Sequence, residues 1–209
     1  MNPNLKKIIA VALSSFIIFV AHYGSYRPLR KAQLFIETMR TLNEATTLDE
    51  LKSRISAPLD FHSPFGQEEL VRQVGSLFTN ILSQPNVKPE VIADLMNYLS
   101  QNYDPIIQSG RGMSFNQNLY LLGSLNELAF LKTQQVNYLA AAKKYYLSSY
   151  ELGPKRPQVL FGLFDVYRVE GNVSEVKRIA DQILNQWPNE ERTKKALEDF
   201  MAKVLTKKK

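Results

Sequence analysis

Few side chains in this sequence have the type and spacing that catalysis or metal binding requires. It contains no cysteine, which excludes disulfides, thiol catalysis and cysteine-ligated zinc or iron–sulfur centres. The two histidines, His22 and His62, are far apart in the sequence, and neither has a carboxylate nearby at a spacing that suits a metal ligand. The sequence therefore predicts neither a metal site nor a cofactor site.

The remaining polar motifs have simpler structural explanations. Gly110-Arg111-Gly112 follows no predicted strand, so we interpret it as a connection between helices and not as a phosphate-binding loop. Glu68-Glu69 and Glu190-Glu191 lie at the starts of predicted helices, where acidic side chains interact favourably with the helix dipole. No G-x-S-x-G or H-E-x-x-H motif occurs. We therefore predict that the chain is not an enzyme and binds no small-molecule substrate.

The candidate functional residues suit the binding of another protein. Gln158, Phe161, Asp165 and Arg168 recur at spacings of three and four, so on a helix they share one face. Phe161 is the predicted anchor for a protein or peptide partner, because an exposed aromatic ring in a groove can bury a large area. Two alternatives stay open: Phe161 packs on a neighbouring helix, and Asp165 forms only a surface ion pair with Arg168.

These candidate residues lie in the second of two similar segments. Ala142-Lys143-Lys144 corresponds to Val176-Lys177-Arg178 at an offset of 34 residues, and Pro154 corresponds to Pro188 at the same offset. The pattern has a small residue early in the second helix, an aromatic residue four positions later and a closing proline. With its period of 34 it resembles the tetratricopeptide repeat.

The apolar pattern of the second segment predicts a helical hairpin. Two stripes at helical spacing are separated by Gly171-Asn172, which predicts a turn; the stripes are Leu160, Leu163, Phe164 and Tyr167, then Val173, Val176, Ala180, Ile183 and Trp187. A single hairpin cannot bury its apolar face, so the two hairpins predicted over residues 113–188 must stack. Residues 189–209 are predicted to form a capping helix followed by a lysine-rich tail.

The order of segments resembles a known envelope family. A last apolar span, a polar linker, irregular helices and a short repeat region are similar to the C-terminal membrane span plus repeat region of the bacterial O-antigen ligase family. Within the repeat, residues 150–158 are similar to a turn with leucine, serine, proline and a basic residue that is often seen there. In that family glycan transfer belongs to a multi-span membrane region, which is not among these residues. The resemblance implies an accessory module in polysaccharide assembly at the cell envelope.

The N-terminal segment is predicted to be a membrane anchor over residues 1–27. Residues 8–26 form an uncharged run of 19 residues, which as a helix spans roughly 28 Å, close to the thickness of a bilayer core. Tyr23 and Tyr26 fall where an aromatic belt would lie. A cleaved signal peptide and a buried core helix are the alternatives, but His22 and Tyr23 fit a cleavage site badly. We expect a single-pass protein of the plasma (inner) membrane, with a slight preference of the charge pattern for a cytoplasmic body.

The net charge of +6 does not indicate a nucleic-acid partner. Residues 1–46 and residues 191–209 each carry a net charge of +4, whereas residues 47–190 carry −2. The body therefore lacks the basic stripe that contact with a phosphate backbone requires. We predict no nucleic-acid binding.

Residues 28–112 are predicted to be an irregular helical region, so the fold class is all-α. Pro28 suits the first turn of a helix that runs to about Ala45, with the apolar side chains Leu29, Ala32, Phe35, Ile36, Met39 and Leu42 on one side. Thr47 and Glu50 form a capping box for a short helix that ends at Ile55. Ser63-Pro64 is expected to begin the next helix, and Pro89 begins one that closes near Asp104-Pro105.

Three functional hypotheses follow from these patterns. The first is a membrane-anchored helical-repeat scaffold or adaptor that recruits a protein partner. The second is an accessory fragment or subunit of a glycan transferase of the O-antigen ligase type. The third is a secreted soluble repeat protein, which would have a mature N-terminus near Ser25.

Overall fold

The computed structural model describes residues 2–207, without the side chain of Lys207. Within that range the secondary structure is helical and contains no strand. The predicted all-α class is therefore confirmed. The last two lysines of the predicted tail, Lys208 and Lys209, lie outside the described residues.

The helices follow one another through short connections. Their bounds are α1 Pro3–Ala21, α2 Arg27–Thr41, α3 Leu48–Asp60, α4 Gln67–Ser83, α5 Pro89–Ser109, α6 Phe115–Thr133, α7 Val136–Leu152, α8 Pro157–Glu170, α9 Val173–Gln186 and α10 Glu191–Lys207. A π-helical turn, His22–Tyr26, joins α1 to α2, and a 3₁₀ turn, Leu42–Glu44, extends α2.

The chain begins with one continuous helical stretch, and Pro28 lies in the first turn of α2, as predicted. The backbone N–H of Arg27 donates to the carbonyl of His22, five residues earlier. Proline has no N–H, and its ring crowds the preceding helical turn. The wider π turn directly before Pro28 accommodates that crowding, so the helix runs on into α2. No residue of α1 is buried, and α1 is long and apolar enough to cross a membrane.

The predicted apolar side of α2 is only partly covered, with Phe35 and Leu42 packed against the hydrophobic core formed by α3, α4, α5 and α6. Leu29, Ala32 and Ile36 are exposed, whereas Lys31 and Thr38 are buried. Polarity explains the difference, since Lys31 and Thr38 both donate hydrogen bonds to backbone carbonyls of the region that packs on α2. An apolar stripe on a helix therefore did not identify its inner face here.

The predicted helix boundaries of residues 47–112 are correct at some ends and wrong at others. The capping box is present, with Thr47 Oγ1 accepting from the N–H of Glu50 at 3.2 Å. However, α3 continues to Asp60 through Pro58, and α5 continues to Ser109 through Pro105, because a proline weakens a helix without always ending it. The helix expected at Ser63-Pro64 begins only at Gln67, after Gly66 adopts a left-handed conformation with φ of 93°.

Two hydrophobic cores meet along α6. The first core is formed by side chains of α3, α4, α5 and α6, among them Ile55, Phe78 and Leu95. The second core combines the end of α6 with α7, α8, α9 and α10, and Tyr146 and Leu163 lie inside it. The chain reverses direction at Gly171, between α8 and α9. This glycine ends α8 in a left-handed conformation with a φ of 71°. Neighbouring helices therefore pack in chain order, and α10 covers the last one.

Candidate protein-binding groove

The four residues predicted to bind a partner all lie on α8 but differ in exposure. Gln158, in the first turn, is exposed, and Phe161 is half-buried. The side chains of Asp165 and Arg168 are 32% and 33% exposed. The structure thus leaves only part of this face accessible.

Phe161 packs against the end of the next helix. Its ring is stacked on that of Trp187, with 6.3 Å between the ring centroids. The ring is therefore partly covered by its own chain, which is the alternative that the sequence left open. Its role as a peptide anchor stays a prediction.

Asp165 and Arg168 form the expected ion pair one turn apart. Arg168 donates to Asp165 Oδ1 at 2.8 Å, and its guanidinium carbon lies 5.3 Å from the centre of the Phe164 ring. The contact with the ring holds the guanidinium in place while part of it remains in solvent. An isolated pair of this kind adds little stability, so the charges stay available to a ligand.

This ion pair borders a cleft of about 350 Å³ between α6, α8 and α10. We call this cleft the groove, and its lining residues are Glu127, Leu131, Asp165, Arg168, Val169, Phe200 and Lys203. The sequence pointed to Asp165 and Arg168 but missed the residues of α6 and α10. These helices are adjacent to α8 only in the folded chain, so spacing within α8 could not reveal them.

Exposed apolar side chains are the feature of the groove that most suits a ligand. Leu131 and Val169 are 56% and 50% exposed although each is a large aliphatic residue. They lie at the C-terminal ends of α6 and α8. Both residues line the groove together with Phe200 of α10.

Glu127 supplies the acidic end of the groove together with Asp165. Tyr146 Oη donates to Glu127 Oε2 at 2.6 Å. Burial raises the pKa of Glu127, and the negative charge of Asp165 raises it further, while the hydrogen bond from Tyr146 and the positive charge of Arg192 lower it. Burial also raises the pKa of Tyr146, so its hydroxyl remains a donor.

Tyr146 also sets the distance between the helices that line the groove. Its ring from α7 lies against Gly123 of α6 and Gly162 of α8, at positions where a methyl group would overlap it. A Cβ on Gly123 would come within 2.5 Å of the ring. The two glycines therefore allow α6 and α8 to approach the tyrosine closely, which fixes the width of the groove.

The lining of the groove can recognise charge and apolar surface. It contains no serine, threonine, cysteine or histidine. The lining combines the carboxylates of Glu127 and Asp165 with the cations of Arg168 and Lys203 and with exposed aliphatic groups. Such a lining suits a peptide with both apolar and charged side chains.

No protein-family model, curated protein or solved structure matches this chain. The function is therefore argued from the residues of the chain itself.

Proposed function

We propose that the chain is a single-pass membrane protein whose stacked helical hairpins, of the tetratricopeptide type, bind a peptide segment of a partner protein in the groove. It acts as a scaffold or adaptor that brings this partner to the membrane. The observation that carries the proposal is the pair of exposed aliphatic residues, Leu131 and Val169, set between charges of both signs.

Contacts around the π turn support an uncleaved anchor. Tyr23 Oη lies 3.2 Å from His62 Nε2, and the guanidinium of Arg27 lies 5.7 Å from the centre of the Tyr23 ring. Removal of the N-terminus near Ser25 would break one continuous helix and release Tyr23 from the body. The mass of the purified chain tests this: an intact N-terminal segment is expected, and a mature chain beginning near Ser25 would establish the secreted alternative.

The stacking of hairpins supports a repeat-type binding surface. The N-terminal helix of each predicted hairpin, α6 and then α8, faces the groove, and α10 continues the row. Arrays of this kind use such a row of helices to bind extended segments of partners.

The charges of the groove favour a partner segment with an apolar side chain beside a carboxylate. Arg168 is already paired with Asp165, but Lys203 has no ion-pair partner within residues 2–207. A carboxylate next to an apolar group would reach Lys203 while the apolar group covers Leu131 and Val169. Burial of those two side chains would contribute most of the affinity.

Site-specific photocrosslinking in cells tests the groove. A benzoylphenylalanine at Leu131 is expected to capture a discrete partner, whereas the same probe at Lys177, an exposed residue of α9, is not. Val169→Asp, which places a second carboxylate beside Asp165, is expected to abolish capture at position 131. Asp181→Lys, on the exposed surface of α9, serves as the matched control and should leave capture intact.

Two results would overturn the proposed groove. One is equal capture by probes at Leu131 and Lys177, which would indicate nonspecific contact. The other is unchanged capture in the Val169→Asp variant while its helical content stays at the native level. The predicted residues of α8 are tested in the same assay with Gln158→Ala, Phe161→Leu and Arg168→Gln.

We also propose that the body lies on the cytoplasmic side, from the slight excess of basic residues after the anchor. The absence of native cysteine makes this easy to test with Asn86→Cys, an exposed position of the α4–α5 connection. A membrane-impermeant maleimide should not label this variant in intact cells and should label it after lysis. Labelling in intact cells would place the body outside.

A further inference from the structure

Two connections of the body lie at the end where the anchor emerges. The α3–α4 connection, residues 61–66, touches the π turn through the pair formed by His62 and Tyr23 at 3.2 Å. The α5–α6 connection, residues 110–114, lies beside the start of α4, because Glu68 Oε2 accepts from the N–H of Ser114 at 3.2 Å. Both connections therefore face the region where the N-terminal helix leaves the body.

Each of these connections exposes one large apolar side chain. Phe65 is 66% exposed and Met113 is 104% exposed, the latter being open to solvent on all sides. The two residues flank a cleft of about 760 Å³ at this end of the body. Exposed bulky residues grouped in this way are typical of surfaces that contact another apolar phase.

The charges around this end are suited to anionic headgroups. Arg111 is exposed beside Met113, and Arg27 and Arg30 follow the π turn on α2. Two neighbouring acids are engaged within the protein, since Glu68 accepts the N–H of Ser114 and Glu69 pairs with Arg72, while Asp60 is exposed before the α3–α4 connection. Basic residues at a membrane surface each add attraction to anionic lipids.

The end of the body is also tied to the anchor, so its distance from the membrane is fixed. Lys31, which is 2% exposed, donates to the carbonyls of Phe61 at 2.7 Å and Leu59 at 3.4 Å, and to Gln67 Oε1. These bonds join α2 to both sides of the α3–α4 connection. Because α2 continues the anchor helix, the connection stays next to the point where that helix enters the bilayer.

We propose that Phe65 and Met113 insert into the headgroup region of the bilayer that α1 crosses, so that the body docks on the membrane beside its anchor. This inference rests on the proposed membrane anchor and adds a second, interfacial contact to it. Phe65 and Met113 supply the apolar insertion, and Arg111 with Arg30 supplies attraction to anionic lipid. Docking fixes the direction in which the body, and therefore the groove, projects from the membrane.

Depth-dependent quenching of a fluorescent label tests this proposal on the full-length chain. Single cysteines replace Phe65 or Met113, carry an environment-sensitive NBD label, and are reconstituted in vesicles of phosphatidylethanolamine and phosphatidylglycerol. Both labels are expected to show blue-shifted emission and quenching by lipids that carry a nitroxide near the headgroup. A label at Asn86→Cys, at the opposite end of the body, should show neither effect.

A label at Ile17→Cys separates failure of the docking from failure of the anchor. Quenching at position 17 by deep nitroxides, with labels at 65 and 113 behaving like the label at 86, would overturn the docking alone. Absence of quenching at position 17 would overturn the anchor as well. Ile17 lies in α1 and is 64% exposed, so its label should not disturb the body.

A second pair of variants tests whether Phe65 and Met113 contact the bilayer together. In protein labelled at Met113→Cys, the substitution Phe65→Ser is expected to reduce headgroup quenching. Val136→Ser, which removes an equally exposed apolar group at the opposite end of the body, should leave it unchanged. Equal quenching in both variants would show that Phe65 takes no part.

Discussion

The half of the body next to the proposed anchor, α1, and the half farther along the chain each have an apolar core but differ in the contacts around it. In the anchor-side half, α2 to α5, side chains such as Lys31 and Thr38 cross between helices to bond backbone carbonyls. In the distal half, α6 to α10, the helices approach through small residues that surround Tyr146. The contrast is one of degree, since Gly75 of α4 is packed against Tyr103 and Leu121 in the anchor-side half, but we recognise a sequence period only in the distal half.

Packing through small residues can recur along a sequence, because each repeat needs only residues of similar size at the same positions. Ala142 of α7 and its counterpart at the offset of 34, Val176 of α9, are both fully buried. Gly123 and Gly162 lie against the two sides of one tyrosine ring. The two glycines are not spaced by 34 residues, so the period is visible in the second helices of the hairpins, α7 and α9, and not in this contact.

The polar contacts of the anchor-side half belong to single places and leave no period. Lys31 donates hydrogen bonds at the end of α3 and at the start of α4. Thr38 donates to the carbonyl of Arg54, which has no donor within its own helix because residue 58 is a proline. Arg54 in turn donates to the carbonyl of Thr41 at 2.9 Å. Each of these side chains satisfies a polar group at one place in the fold. Their spacing is therefore not expected to repeat along the sequence.

The largest predicted effect tests the small-residue packing of the distal half. Gly162→Ala places a methyl group where the Tyr146 ring lies, and overpacking of this kind should cost about 2–3 kcal/mol of unfolding free energy. Urea unfolding of the full chain in detergent micelles measures the loss, with fluorescence of the single tryptophan, Trp187, reporting on the distal half.

A double-mutant cycle identifies the cause of that loss. In a Tyr146→Leu background the ring is gone, so Gly162→Ala should cost much less than in the native sequence. An equal cost in both backgrounds would show that the tyrosine does not require the glycine, and the contrast between the two halves would lose its basis.

The next effect tests the polar contacts of the anchor-side half. Lys31→Met keeps the length of the side chain but leaves the carbonyls of Leu59 and Phe61 without its donor, at a cost of about 2 kcal/mol. Hydrogen exchange should accelerate in residues 61–66 and in the first turn of α4. Exchange in α8 and α9 should not change.

Arg30→Met is the matched control for this variant. Arg30 is adjacent on α2, but its ion pair with Glu37 is largely exposed, with the two side chains 38% and 58% accessible. Its replacement should therefore cost less than about 0.5 kcal/mol. A similar loss in both variants would mean that Lys31 contributes only a surface charge.

The all-α class and the distal hairpins could be predicted because both follow from periodic apolar spacing. The stripes of α8 and α9 flank Gly171, and the structure ends α8 at that glycine. The inner face of α2 could not be predicted, because its buried residues are a lysine and a threonine whose partners come from α3 and the connection after it. Apolar spacing alone carries no information about such partners.

The sequence predicted only those residues of the candidate site that lie on α8. Asp165 and Arg168 border the groove, but Glu127, Leu131 and Lys203 come from helices whose position depends on stacking. Phe161 was expected to be a candidate anchor, and its contact with Trp187 depends on where α9 ends. Which residues meet across helices is decided by tertiary packing, so spacing within α8 could not supply it.

A smaller effect tests whether Thr38 compensates for a proline inside α3. Thr38 Oγ1 donates to the carbonyl of Arg54 at 3.4 Å, the carbonyl that would otherwise accept from residue 58. Thr38→Val should therefore cost about 1 kcal/mol. In a Pro58→Ala background the helix regains its own donor, and the same substitution should cost less. Thermal unfolding of the four proteins measures this, and a cost independent of residue 58 would show that the two are not coupled.

The smallest effect concerns the one carboxylate inside the small-residue packing of the distal half. Because burial raises the pKa of Glu127 above its ordinary value of 4.5, the folded chain binds a proton that the unfolded chain releases in that interval of pH. The native protein should lose stability as the pH rises from about 4.5 through the raised pKa. Glu127→Gln can still accept the hydrogen bond from Tyr146 but does not titrate, so its stability should lack this dependence.

At neutral pH, Glu127→Gln should be as stable as the native chain or slightly more stable, by less than about 1 kcal/mol. Unfolding free energies measured at several pH values between 4 and 8 test the sign. Asp181→Asn, which alters an exposed carboxylate of α9, is the matched control and should retain the loss of stability with rising pH. If Glu127→Gln is instead destabilised at neutral pH, the ionised carboxylate supports the packing around Tyr146, and the distal half depends on a charged contact just as the anchor-side half depends on Lys31.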